Sequence, residues 1–149
     1  MKRWICLFAV FGLGTIVALT MAEGKRTYYV QLVQGTEADQ PPVTGTKAIG
    51  PRLSKSLHSS FRWKHYWEIN RSEVTMDAGS TLKMVLSGER GVEIDLSLPK
   101  RRRVTALSNG MALCSTSQPT STAMTIISAD RNTNSAWFLA VRRDKPSTF

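Results

Sequence analysis

The chain has 149 residues, 42% of them hydrophobic, with 20 Lys and Arg against 11 Asp and Glu and a formal net charge of +9. That apolar content excludes an intrinsically disordered chain, and the length suits a single domain with a modest core. The positive balance favours anionic partners without selecting one, and two cysteines leave little scope for a disulfide framework.

Met1-Lys2-Arg3 precedes an apolar run from Trp4 to Met21, closed by Thr20-Met21-Ala22 before Glu23. Two positive charges, an apolar segment and small residues around the junction are the pattern of a secretory signal peptide over residues 1–22, cleaved after Ala22. The rival reading is an uncleaved signal anchor, since the run approaches the roughly 20 residues that cross a bilayer. Gly12, Gly14, Thr15 and Thr20 weaken it as a permanent span. Either way, residues 23–149 are expected outside the cytoplasm, periplasmic or secreted, with membrane contact only through an uncleaved signal. Cleavage removes Cys6 as well as Lys2 and Arg3, leaving Cys114 alone and a net charge of +7 on one β-rich domain.

Thr27 to Gln34 is rich in aromatic and β-branched residues and predicts the first strand. Residues 35–50 carry Pro41-Pro42 and little large apolar content, which predicts a mobile surface loop. Pro51 then stands at a helix start, and Leu53, Leu57 and Phe61 recur every four residues, so one short helix is expected from Arg52 to about Ser60.

The next stretch, Phe61 to Asn70, alternates with period two. Phe61, Trp63, His65, Trp67 and Ile69 fall on one face; Arg62, Lys64, Tyr66, Glu68 and Asn70 fall on the other. A strand with its first face on the core and its second toward water is the expectation. A β-meander follows. Leu82, Met84 and Leu86, then Val92, Ile94, Leu96 and Leu98, form the clearest hairpin, around Gly88 to Gly91. A one-residue slip there would bury Glu93 and Asp95. Val104 to Leu107, a turn at Asn109-Gly110, Met111 to Ser117 with Met111 and Leu113 inward, and Ala123 to Ala129 continue the pattern. Ser135 to Val141 is apolar on both faces and is expected to be central; residues 142–149 suggest a frayed tail. The fold class is mainly β: an antiparallel meander forming a sandwich or a partly closed barrel, with one short N-terminal α-helix.

Catalytic candidates are sparse. His58 and His65 stand in no metal-ligand spacing with each other or with Cys114, and Cys114 lies in a serine-rich strand. Glu93 and Asp95 share a strand face about 7 Å apart, a pairing that glycosidases use and that amphipathic hairpins commonly carry to water. No glycine-rich phosphate loop, nucleophile elbow or zinc signature occurs, so no cofactor or metal is expected. Asn70-Arg71-Ser72 matches a glycosylation sequon, a pattern common by chance.

The basic residues are the sharper signal. Lys100, Arg101, Arg102 and Arg103 form a run of four, Arg62 and Lys64 flank Tyr66 on the face expected outside, and Arg142, Arg143 and Lys145 lie near the end. If these converge, an anionic polymer can be held there, and Arg62, Lys64, Tyr66 and Lys100 to Arg103 are the candidate contact residues. Nucleic acid is disfavoured, because the tryptophans are assigned to the core.

The run Phe61 to Ile69, the strand end Leu96 to Pro99 and the late Asp130 to Phe138 together resemble a family of small exported bacterial proteins of uncharacterised function. The resemblance implies export and a compact β-rich domain and carries over no catalytic residue or cofactor. The function expected from the whole is an exported, non-catalytic binding or scaffolding module of the envelope, its partner a protein or an anionic envelope polymer. The alternative is a small extracytoplasmic hydrolase.

Overall fold

The computed structural model describes residues 24–147; the predicted signal segment lies outside them. In chain order the elements are β1 (Arg26–Thr36), β2 (Lys47–Ala48), α1 (Pro51–Ser60), β3 (His65–Met76), β4 (Thr81–Ser87), β5 (Arg90–Asp95), β6 (Arg101–Ser108), β7 (Met111–Pro119), β8 (Met124–Arg131) and β9 (Ser135–Arg142). They form two antiparallel sheets, ordered β2-β3-β1-β9-β8 and β4-β5-β6-β7. The second sheet is an uninterrupted meander inserted between β3 and β8. Each sheet keeps two open edges, so the architecture is a sandwich and not a closed barrel.

The inward faces build the main core. Tyr28, Val30 and Leu32 of β1 and Leu139 and Val141 of β9 pack on Val92 and Ile94 of β5 and Val104 and Ala106 of β6. The predicted hairpin is present in register, with Leu82 opposite Ile94 and Met84 opposite Val92. Glu93 faces Lys83 across that pair, on the outer side.

The other face of the first sheet carries a second core, under α1. Leu53 and Leu57, four residues apart on one helix face, are fully buried against Val33, Tyr66, Phe138 and Ala140. The helix has Pro51 in its first turn but no side-chain cap, so its place depends on those leucines. Each contributes about 2 kcal/mol of burial. The strand β9, expected to be central, lies between β1 and β8 and feeds both cores with alternate residues.

Three expectations are corrected. The aromatic strand begins at His65, not Phe61, and runs unbroken to Met76. Its supposedly outward face is covered by α1: Tyr66 is 4% exposed, while Phe61 and Trp63 pack on that same helix side. A bulge opposite Leu32 and Val33 leaves Ile69 as the extra residue and shifts the phase beyond it. In β7 the inward phase is the reverse of the expected one. Met111 and Leu113 are exposed and Cys114 packs on the core; the pairing skips Leu113 between Ala106 and Leu107, which puts Cys114 in the inward register, and Met111 stands at the strand start opposite Ser108. Finally, Arg142, read as the start of a frayed tail, is the buried last residue of β9.

Candidate anion-binding site

Antiparallel pairing decides which charges meet. Arg26 pairs with Met76, and Met124 pairs with Arg142, so the start of β1 and the end of β9 share one end of the first sheet. In the second sheet Asp95, Arg103 and Ser117 align, placing the β5–β6 connection at one end as well. The links from β3 to β4 and from β7 to β8 join these two ends. Basic segments far apart in sequence therefore converge on one end of the sandwich.

Two adjoining clefts open there. One, of about 550 Å³, is lined by Lys25, Arg26, Arg52, Arg143 and Asp144 with Ser121 and Ala123. The other, of about 660 Å³, shares Lys25, Arg26, Ser121 and Arg143 and adds Lys100 and Thr120. Asp144 is the single carboxylate in either wall. It is occupied by Arg142, which grips it through Nε and Nη2, and by Arg52 at 2.9 Å, and these partners hold its carboxyl below the usual aspartate range. Lys25, Lys100 and Arg143 make no ion pair among the described residues.

The rim is fixed by backbone bonds. The Thr120 amide donates to the Lys100 carbonyl (2.9 Å), the Thr122 amide to Pro119 (3.0 Å) and the Arg143 amide to Ala123 (3.0 Å). Lys100 itself adopts φ 57°, a left-handed conformation that aims its segment out of the strand path.

Beneath the rim lies Arg102. It is 0% exposed and the largest fully buried side chain among the described residues. Nη2 donates to Thr125 Oγ1 (2.7 Å) and to the Thr122 carbonyl (3.3 Å), and Cζ stands 5.0 Å from the Tyr28 ring centroid. Nε and Nη1 have no acceptor, and no carboxylate pairs with the group among the described residues. Burial, with Arg143 and Arg26 nearby, holds its pKa below the usual arginine value. Tyr28 opposes that shift, although its hydroxyl is outside hydrogen-bonding geometry.

The run of four basic residues is thus split by strand alternation. Lys100 reaches the cleft and Arg102 goes inward, a correction to its reading as a surface contact. Arg101 and Arg103 stand on the outer face of the second sheet, Arg101 on Ser117 (2.8 Å to its carbonyl) and Arg103 3.7 Å from Asp95.

Arg62, Lys64 and Tyr66 do not join this site. They lie near the start of β3, at the far end of β1, about 33 Å away by strand rise. Lys64 and His65 both bind Asp39 (2.6 and 2.8 Å), which lowers the Asp39 pKa chiefly through Lys64. Tyr66 is under the helix with its hydroxyl 3.5 Å from the Leu57 carbonyl, and burial raises its pKa. Arg62 borders a separate cleft of about 510 Å³ with Glu37, Trp63 and Arg131.

The catalytic candidates have structural partners. Asp95 accepts from the Ser97 amide (2.8 Å) and Thr81 (3.1 Å), and Ser97 above all keeps it ionised below the usual range. Burial pushes the Cys114 thiol up, and its Sγ lies 3.6 Å from the Ser128 carbonyl. His58 bonds within its own helix, to Ser54. No group of three potential metal ligands occurs among the described residues.

Sequence reasoning missed Lys25, Arg26, Arg52 and Asp144 as cleft residues. The signal was the position of Lys25-Arg26 at the start of the first strand and Arg142-Arg143 at the end of the last, which coincide once these two strands pair antiparallel. No protein-family model, curated protein or solved structure matches this chain.

Proposed function

We propose that this chain is an exported, non-catalytic binding or scaffolding module of a cell envelope, which holds an anionic envelope polymer in the cleft at the basic end. The observation that carries the reading is the gathering of Lys25, Arg26, Arg52, Lys100 and Arg143 on two adjoining clefts whose one carboxylate, Asp144, is already paired. Such an excess of one sign at a concave surface raises the local concentration of anions and steers their approach. Export follows from the pattern of residues 1–22 and from the resemblance to small exported proteins. Burial raises the Cys114 thiol, which favours binding over thiol-based hydrolysis.

The test uses the chain from Glu23 to Phe149 and dextran sulfate as the anionic polysaccharide. Capture is expected to weaken at least tenfold between about 50 and 500 mM NaCl, as screening shortens to a few ångströms. The double variant Lys100→Ala/Arg143→Ala should reduce it similarly at low salt, while Arg62→Ala, at the opposite end, leaves it unchanged. Salt-independent capture, or equal loss from Arg62→Ala, overturns the assignment. The mass of the exported protein checks the cleavage after Ala22.

A further inference from the structure

Arg102 is built into the protein against its own stability. A guanidinium removed from water is stabilised by a carboxylate or by acceptors for its five N–H groups. Here Nη2 alone is satisfied, and the three N–H groups on Nε and Nη1 have no hydrogen-bond partner, the Tyr28 hydroxyl beside them being outside bonding geometry. The only polar group of Tyr28, packed against it, is likewise without a partner. The nearby charges are those of Arg143 and Arg26, which add repulsion. The Thr122 carbonyl that accepts from Nη2 belongs to the turn over 120–123, whose Thr120, Ser121 and Ala123 line the clefts. Unused donors and uncompensated charge thus sit behind one wall of a basic cleft.

We infer that Arg102 is the inner recognition residue of this cleft, and that the group it takes is a tetrahedral oxyanion with two negative charges: inorganic phosphate or a phosphomonoester. This rests on the anion-binding reading above and narrows its ligand chemistry. A phosphoryl group offers three terminal oxygens and close to two charges at neutral pH, which match three idle donors and the surplus positive charge. A lone carboxylate would neutralise only half as much. The ligand reaches Arg102 by displacing the turn over 120–123, one of its oxygens replacing the Thr122 carbonyl at Nη2. Because the guanidinium is shielded from counterions, its share of the binding is less sensitive to salt than that of Lys100 or Arg143.

Thermal melting of the chain from Glu23 to Phe149, in inorganic phosphate against chloride at equal ionic strength, tests this. At about 10 mM, phosphate should raise the wild-type Tm by about 5 °C or more. Arg102→Met, similar in length and uncharged, should melt higher than wild type in chloride and show no rise with phosphate. Arg102→Lys keeps the charge, loses the donor geometry, and should also lose the rise. Dextran sulfate capture by Lys100→Ala/Arg143→Ala reads the outer rim separately from the Arg102-dependent rise. An equal phosphate rise in wild type and Arg102→Lys overturns this inference and leaves the polymer reading standing. Failure of Lys100→Ala/Arg143→Ala to weaken polymer capture, with the Arg102-dependent rise intact, overturns the polymer reading instead. Flotation with vesicles containing phosphatidic acid separates the sources. Wild type floating while Arg102→Lys does not marks a lipid-borne phosphomonoester; neither floating, with the Arg102-dependent rise intact, marks a soluble or polymer-borne one.

Discussion

The Arg102 guanidinium lies 5.0 Å from the centre of the Tyr28 ring, and the Tyr28 hydroxyl beside it has no hydrogen-bond partner. The ring face stabilises the cation, whereas the hydroxyl is desolvated without return. Tyr28→Phe keeps the face and removes the orphan oxygen. Urea denaturation should find it equal to wild type or up to about 1 kcal/mol more stable. A loss above 2 kcal/mol would show that the hydroxyl is bonded in solution.

Asp144 ties the chain end to the helix. It bridges Arg142 of β9 and Arg52 of α1, and Arg142 reaches Gln31, which in turn donates to Glu68. Since Arg142 lowers the folded-state pKa of Asp144, its contribution is complete above the unfolded aspartate pKa. It disappears as pH falls through the lower folded value. Denaturant midpoints measured from pH 6 down should fall below about pH 4 in wild type and fall less in Asp144→Asn. Parallel profiles for the two proteins would refute the linkage.

The helix α1 is held by two leucines and no side-chain cap. Leu57→Ala should cost about 2–5 kcal/mol in urea denaturation, because it opens a cavity among Tyr66, Phe138 and Ala140. By contrast, Ser59→Ala, on the exposed side of the same helix, should change stability by less than about 0.5 kcal/mol. Similar losses from both would mean that the helix does not pack as described.

Gly35 in β1 lies against the Trp63 ring. A Cβ there would stand 2.8 Å from Trp63 Cδ1 and Cγ and 3.1 Å from Phe138 Cε2. Gly35→Ala should therefore cost about 1–3 kcal/mol and change the tryptophan emission as the Trp63 ring is displaced. An unchanged spectrum at unchanged stability would contradict the contact.

How much was legible in the sequence depended on what covered each face. The β4–β5 hairpin followed from its alternation and the central β9 from being apolar on both faces, because burial alone decides which of their residues are apolar. Tyr66 was misplaced because Lys64 and Glu68 flank it, and the helix that precedes the strand folds back to cover that face. Leu113 was misplaced because it is the one extra residue in β7, which shifts the inward register to Cys114, and bulges leave no pattern of their own. Arg102 is different. Extending period two back from Val104 and Ala106 places it inside, but four consecutive basic residues read as one solvated patch. Convergence of Lys25, Lys100 and Arg143 required the pairing order, which no local spacing contains.

The order of strands also sets a time at which folding can finish. The central partner of β1 is β9, made last, and residues of β9 complete both cores. Until residue 141 has been synthesised, β1 lacks one neighbour along its length and α1 has only part of its floor. A chain built this way completes neither core for most of its length and becomes compact only once β9 is available. Removal of residues 135–149 should accordingly leave residues 23–134 without a cooperative thermal transition by circular dichroism, and a transition as sharp as that of the longer chain would refute this dependence.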